Sequence, residues 1–314
     1  MIAMIGNTYG QYPPPAGEEG SSAIHADSNI FVDWADNVTI QRGWVNISEQ
    51  SLGVATYGSD TSAIGEANST VVSLGDAGIA TLTFNTPIAD GNGWDFAVFE
   101  NSFSDTFLEL AFVEVSSDGI NFFRFTSVSL TQDSIQVATF GETNASHINN
   151  LAGKYKAFYG VPFDLSELKG IEGLDVNNIT HVKVIDVVGS IIPEYGSVDS
   201  EGNIVNDPWP TPFESSGFDL DGIGVINNRD NTWISDKIVY DPHLIYPNPS
   251  SDFITIKTGS SEVEIIIYDM MGKEMLRTKT SFKEKIGIQE LPDGKYIIVI
   301  KDDEKLNSSS FIKL

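Results

Sequence analysis

Cysteine is absent from the 314 residues. That excludes a disulfide scaffold, thiolate-ligated zinc or iron–sulfur sites and a thiol nucleophile. Basic residues are scarce, 18 against 44 acidic, for a formal net charge of −26. Such a field repels phosphate backbones and argues against a nucleic-acid partner. No apolar run reaches the roughly 18 residues of a membrane span, so the chain is not expected to be membrane-spanning. Histidines number four, and the sequence contains no His-Glu-x-x-His, no Gly-x-Ser-x-Gly and no phosphate-cradling glycine loop. Charged residues make up 20% and aromatics 11%, the composition of a folded chain rather than an acidic disordered one.

The acidity is unevenly distributed. From Tyr246 onward there are 10 basic and 11 acidic residues, which leaves 8 basic and 33 acidic residues before it. This asymmetry predicts two modules: a cargo domain over residues 13–228, a linker over 229–245 and a terminal module over 246–314. Residues 1–12, a short apolar stretch leading into Tyr12-Pro-Pro-Pro15, read as the residual tail of a signal peptide or as a disordered terminus.

Strand signals dominate the cargo region. Val38–Ser48, Thr70–Leu74, Ile79–Phe84, Asp95–Phe99, Glu109–Ser116, Phe122–Leu130, Thr180–Val188 and Phe218–Ile226 are rich in Val, Ile, Thr and Phe and are punctuated by Gly, Asn, Asp or Pro. Two short helical segments are expected, at Asp164–Gly170 and Ala145–Ala152. The predicted fold class is all-β: a jelly-roll-like antiparallel β-sandwich followed by a small Ig-like β-sandwich. Val113-Glu-Val-Ser-Ser-Asp-Gly-Ile-Asn-Phe-Phe123 resembles the hairpin of discoidin-like, galactose-binding-type jelly rolls.

The terminal module carries four motifs in order: Tyr246-Pro-Asn-Pro-Ser-Ser-Asp-Phe-Ile-Thr-Ile-Lys257, Ile265-Ile-Ile-Tyr-Asp-Met-Met-Gly-Lys273, Leu291-Pro-Asp-Gly-Lys-Tyr-Ile-Ile-Val-Ile300 and Phe311-Ile-Lys-Leu314. Together they resemble the type A C-terminal sorting domain of the type IX secretion system of Bacteroidetes. The resemblance implies a partner, the type IX machinery acting through residues 246–314, and a location outside the cell or on the outer-membrane surface. The region Asp27–Ile226 resembles uncharacterised Bacteroidetes cell-surface proteins, some associated with uptake of scarce nutrients such as cobalamin.

An acidic, cysteine-free domain outside the cell suggests oxygen ligands for calcium as a structural ion. Asp95-Phe-Ala-Val-Phe-Glu100-Asn101 places carboxylates at strand ends. Asp219 and Asp221 share a strand face about 7 Å apart, where like charges repel unless neutralised. The predicted metal ligands are therefore Asp95, Glu100, Asn101, Asp219 and Asp221. The loop Asp199–Asp207 alternates oxygens without EF-hand spacing. Trp209, held between prolines, is the leading aromatic anchor for a small-molecule, glycan or corrinoid ligand, with Tyr195 and Trp94 beside it. His25, among acidic neighbours, is the candidate donor to a metal or corrinoid cobalt. The functional expectation is a non-catalytic ligand-binding protein. The alternatives are a cobalamin-type capture protein partnering an outer-membrane receptor, or a carbohydrate-active hydrolase using paired carboxylates.

Overall fold

The computed structural model describes residues 12–229, 239–240, 245–256, 263–281, 284–301 and 306–314. The expected signal-peptide tail (all but Tyr12) and most of the expected linker lie outside them. The chain divides into two compact units, Met1–Thr232 and Trp233–Leu314.

In the first unit two antiparallel sheets face each other. One runs Ile24–His25, Tyr159–Phe163, Phe96–Glu100, Asp219–Val225 and Asp33–Trp34, with Val72–Ser73 also paired to Asp219–Val225. The other runs Asn37–Gln41, Ile79–Ile88, Ile179–Asp186, Ala111–Ser116 and Phe123–Arg124. The period-2 alternation of a strand sorts the side chains. Ala80, Leu82 and Phe84 of Ile79–Ile88 enter the shared core with Val113, Val115, Val182 and Val184, while Thr81 and Thr83 are half-buried on the outer face. The first sheet is covered on both sides. Phe96 and Val98 face the central core, whereas Ala97 and Phe99 form a second cluster with Ala26 and Ala67, over which Phe31 and Trp34 pack. By the same alternation Glu100 follows Phe96 and Val98 to the inner side, at the end of the sandwich.

Several predicted strands differ in length from the structure, each for a local reason. Val38–Ser48 ends as a strand at Gln41. Gly43 there passes so close to Asp76 that a Cβ would stand 2.1 Å from its carbonyl oxygen, so the chain must turn. Phe122–Leu130 splits into Phe123–Arg124 and Val128–Ser129. The strand Tyr159–Phe163 escapes prediction because Gly160 and Pro162 interrupt it. Pro162 is tolerated because the outer neighbour Ile24–His25 covers only Tyr159 and Gly160, leaving the rest of that side an open edge. Both expected helical segments are single 3-10 turns, Leu165–Leu168 and Ala145–His147. Asp164 and Asn144 cap them through the backbone N–H groups of Ser166 and Ser146.

The second unit is a smaller sandwich. A five-stranded sheet orders Val239–Tyr240, Leu306–Lys313, Gly294–Lys301, Val263–Asp269 and Glu274–Thr280, and a three-stranded sheet orders Ile245–Tyr246, Phe253–Ile256 and Lys285–Gly287. Its core is mostly isoleucine, including Ile254, Ile265, Ile267, Ile286 and Ile298, closed by Tyr296 and Phe311. The turn Asp269–Lys273 depends on Gly272 at φ 81° and on the Asp269 carboxylate, which accepts the N–H groups of Met271 and Lys273.

Candidate functional site

The first unit buries many carboxylates, and most are taken up by the chain itself. Asp186 accepts the N–H groups of Ala77 and Phe218. Asp207 accepts that of Leu110, and Asp76 accepts Ile47 N–H and the Trp209 indole N–H. Asp199 accepts the backbone N–H groups of Ser129, Glu201 and Asn203 and the Asn203 side-chain amide. The Asp199–Asp207 loop is thus held by its own hydrogen bonds. Carboxylates satisfied in this way tie loops to strands.

Glu100 and Glu109 differ from these. Glu100 is 1% exposed; one of its oxygens accepts Ser102 N–H at 2.8 Å, and the other, Oε1, is buried with no hydrogen-bond partner. Burial first, then the negative charge of Asp219, pushes its carboxyl well above the ordinary range. Glu109 is pushed the same way by burial and then by Asp219 and Glu100, with no hydrogen bond among the main influences on it. Asp219 accepts the Ser73 hydroxyl; burial raises it to about 6, against the pull of that hydrogen bond and of Arg42.

These three acids line one pocket of about 300 Å³. The strand Phe96–Glu100 contributes Glu100 from its end and Asn101 just beyond it. Asp219 starts the adjacent strand, where Leu220 pairs with Glu100, and Glu109 precedes the Ala111–Ser116 strand of the other sheet. At the rim stand Phe103, Phe107, Phe140 and Phe213. Phe103 stacks on Phe107 at 4.4 Å between centroids, Phe140 lies 6.2 Å from Phe107, and Phe213 lies 5.9 Å from Phe140. Three of these rings are largely open, Phe103 being 72% and Phe140 69% exposed.

The residues predicted from sequence separate accordingly. Glu100, Asn101 and Asp219 come together. Asp221 does not join them, because a register irregularity between Leu220 and Gly222 breaks the simple alternation. Asp221 accepts the N–H groups of Asn68 and Ser69 at 3.1 and 2.9 Å, so the expected repelling pair is resolved by hydrogen bonds. Asp95 sits at the opposite end of its strand, accepting N–H from Gly91 and Leu165 and the side-chain amide of Asn227; burial raises it to about 6. Its carboxylate oxygens approach those of Asp90 and Asp164, one from each residue lying within 4.8 Å of the others. Asp90 Oδ1 there is buried without a hydrogen-bond partner, and its other oxygen pairs with Lys169 at 3.3 Å.

The aromatic expectation needs correction. Trp209 is 7% exposed and donates its indole N–H to Asp76, so it fills the interior and presents no face to a ligand. His25 pairs with Tyr159 in the sheet edge, takes Asp27 N–H on Nδ1 and packs against the rings of Phe158 and Tyr159. It is not part of the pocket lining, and neither are Tyr195, half-buried in a turn, and Trp94, 40% exposed. The pocket residues not singled out beforehand include Glu109 and the four phenylalanines. A charge inside Phe107-Leu-Glu-Leu-Ala-Phe112 was the available signal for Glu109.

The fold thus defines an all-β protein of two sandwiches. Residues 244–313 match the family described as secretion system C-terminal sorting domain. The chain therefore carries a type IX secretion sorting tail, which directs it out of the cell or onto the cell surface. No helix among the described residues is long and apolar enough to cross a membrane. No curated protein matches the chain. Among solved structures, the β-glucuronidase of Ruminococcus gnavus bound to D-glucuronic acid is 11% identical, with 89% of this chain and 45% of that one covered at a TM-score of 0.24. The BSP domain of a biofilm-associated protein is 11% identical, with 79% and 50% covered at a TM-score of 0.19. The chain spans half or less of the length of these structures, and at such TM-scores neither supports an argument about activity.

Proposed function

We propose that the first unit is a non-catalytic binding module, exported by means of its sorting tail, whose small ligand enters the pocket of Glu100, Glu109 and Asp219. The observation that carries this reading is Glu100 Oε1. A buried carboxylate oxygen without a partner is costly, and its residue lines a pocket whose other lining residues include three exposed phenylalanines. The size suits a small ligand and is small for a corrinoid. A thermal-shift panel of small amines, sugars and corrinoids tests it. The reading expects at least one class to raise the melting temperature of wild type but not of Glu100→Gln; no shift from any class contradicts it.

Calcium belongs, in this reading, with Asp90, Asp95 and Asp164, where it would clip the loop before Phe96–Glu100 to the turn at Asp164. Glycoside hydrolysis by paired carboxylates is a second reading, favoured by one observation: Glu100 and Glu109, both with raised pKa, line the same pocket. Turnover of aryl glycosides that vanishes in both Glu100→Gln and Glu109→Gln would establish it over simple binding.

A further inference from the structure

We propose that the ligand of this pocket is a small organic cation, an ammonium group on a short apolar body, rather than a metal ion or a neutral sugar. The proposal rests on the reading of the pocket as the binding site and specifies its ligand chemistry. Three observations converge on it.

The first is charge. Three carboxylates line the pocket and none of the lining residues is basic. The guanidinium nearest in influence, Arg42, is already bonded to the carbonyls of Tyr57, Gly58 and Ser73 and to Asp60. Glu100 Oε1 is left without a partner at 1% exposure of its residue. Among the described residues, no basic side chain lines the pocket, and Arg42 acts on Asp219 alone of the three acids among the main influences.

The second is spacing. A metal ion draws its oxygens to about 2.3–2.6 Å and therefore close to one another. Among the described residues, Asp90, Asp95 and Asp164 bring three carboxylate oxygens within 4.8 Å of one another, and Glu100, Glu109 and Asp219 do not. The wider arrangement fits a polyatomic cation touching the acids from several sides.

The third is the rim. Phe103, Phe107, Phe140 and Phe213 make a continuous row of rings, and exposed apolar surface of this kind marks a binding face. Aromatic faces attract ammonium groups, most strongly where water is excluded. Carboxylates at the floor and rings at the mouth would hold the charge inside and the apolar body of the ligand outside.

The test titrates the full-length chain, with chelator present, with choline, benzylamine and benzyltrimethylammonium, and with 3,3-dimethyl-1-butanol, the neutral isostere of choline. Ligand-observed NMR gives affinities, and calcium is titrated separately without chelator. The ammonium probes are expected to bind, and the neutral isostere to bind at least about tenfold more weakly. Glu100→Gln and Phe140→Ala should each weaken the ammonium probes by a similar factor. Phe140→Ala truncates an exposed ring and keeps the test valid if Glu100→Gln alters folding. Equal binding of choline and its isostere, lost in Phe140→Ala, would overturn the cationic ligand while leaving the pocket as a binding site. Calcium binding abolished by Glu100→Gln would do the same. Absence of binding by every probe and by calcium would overturn both the ligand class and the pocket.

Discussion

Asp186 and Glu100 are both buried acids, and they differ in what surrounds them. Backbone N–H groups meet both carboxylate oxygens of Asp186; at Glu100 one oxygen accepts Ser102 N–H, Oε1 has no hydrogen-bond partner, and the charge of Asp219 acts on the group. Burial raises Asp186 well above its ordinary value too, helped by Asp76 and Asp207, so the pH signature belongs to the buried acids together. Asp219 in the folded chain titrates near 6, above its ordinary 3.8, and burial raises Glu100 and Glu109 well above their ordinary value too. Between these values the folded state holds protons that the unfolded chain has released. The contribution of these acids to stability is therefore greatest below about pH 4 and falls as pH rises through 6, by about 3 kcal/mol at most for Asp219. Glu100→Gln removes one of the raised groups, so its melting temperature should exceed that of wild type at pH 7–8 and converge with it near pH 4. Parallel pH profiles would refute this account. Trp209, by contrast, acts through packing and its bond to Asp76. Trp209→Ala should cost about 3–5 kcal/mol by chemical denaturation, while its ligand response, relative to the folded fraction, stays as in wild type.

At the scale of elements, the strands that pattern cleanly were readable. Ile79–Ile88 and Ile179–Asp186 alternate apolar and polar residues and were anticipated to within a few residues. Asp95, Glu100, Asn101, Asp219 and Asp221 were grouped from the sequence as one set of ligands, and of these Glu100, Asn101 and Asp219 line the same pocket. Glu109 was hidden because its neighbours Leu108 and Leu110 made the segment read as core, although the strand itself starts at Ala111. The phenylalanine rim was illegible for another reason: Phe103, Phe140 and Phe213 lie in three separate loops, and no periodicity links them. Asp221 misled because alternation alone ignores the irregularity at Leu220. The loop around Asp90 carries its own test. If calcium joins Asp90, Asp95 and Asp164, added calcium should raise the melting temperature of wild type relative to chelator, and Asp164→Asn should abolish the difference. A wild-type melt indifferent to calcium and chelator would remove the ion from the account.

Across the whole molecule, nearly all of the charge of −26 lies before Tyr246, 8 basic against 33 acidic residues, while the sorting tail is nearly neutral and is built on an isoleucine core. Ile298 is fully buried in that core. Ile298→Ala should cost the tail about 2–5 kcal/mol and reduce the exported fraction, measured by immunoblot of surface and medium, while melting of the first unit is unchanged. Undiminished export would mean that the sorting signal is read without its fold.

No basic residue lines the pocket of Glu100, Glu109 and Asp219, and carboxyl-detected ¹³C NMR of Glu100 and Glu109 measures the consequence directly. Without ligand, both should titrate well above the ordinary glutamate value of about 4.3, and saturating benzyltrimethylammonium should move both midpoints down. Ordinary midpoints, unmoved by the cation, would contradict this reading of the pocket.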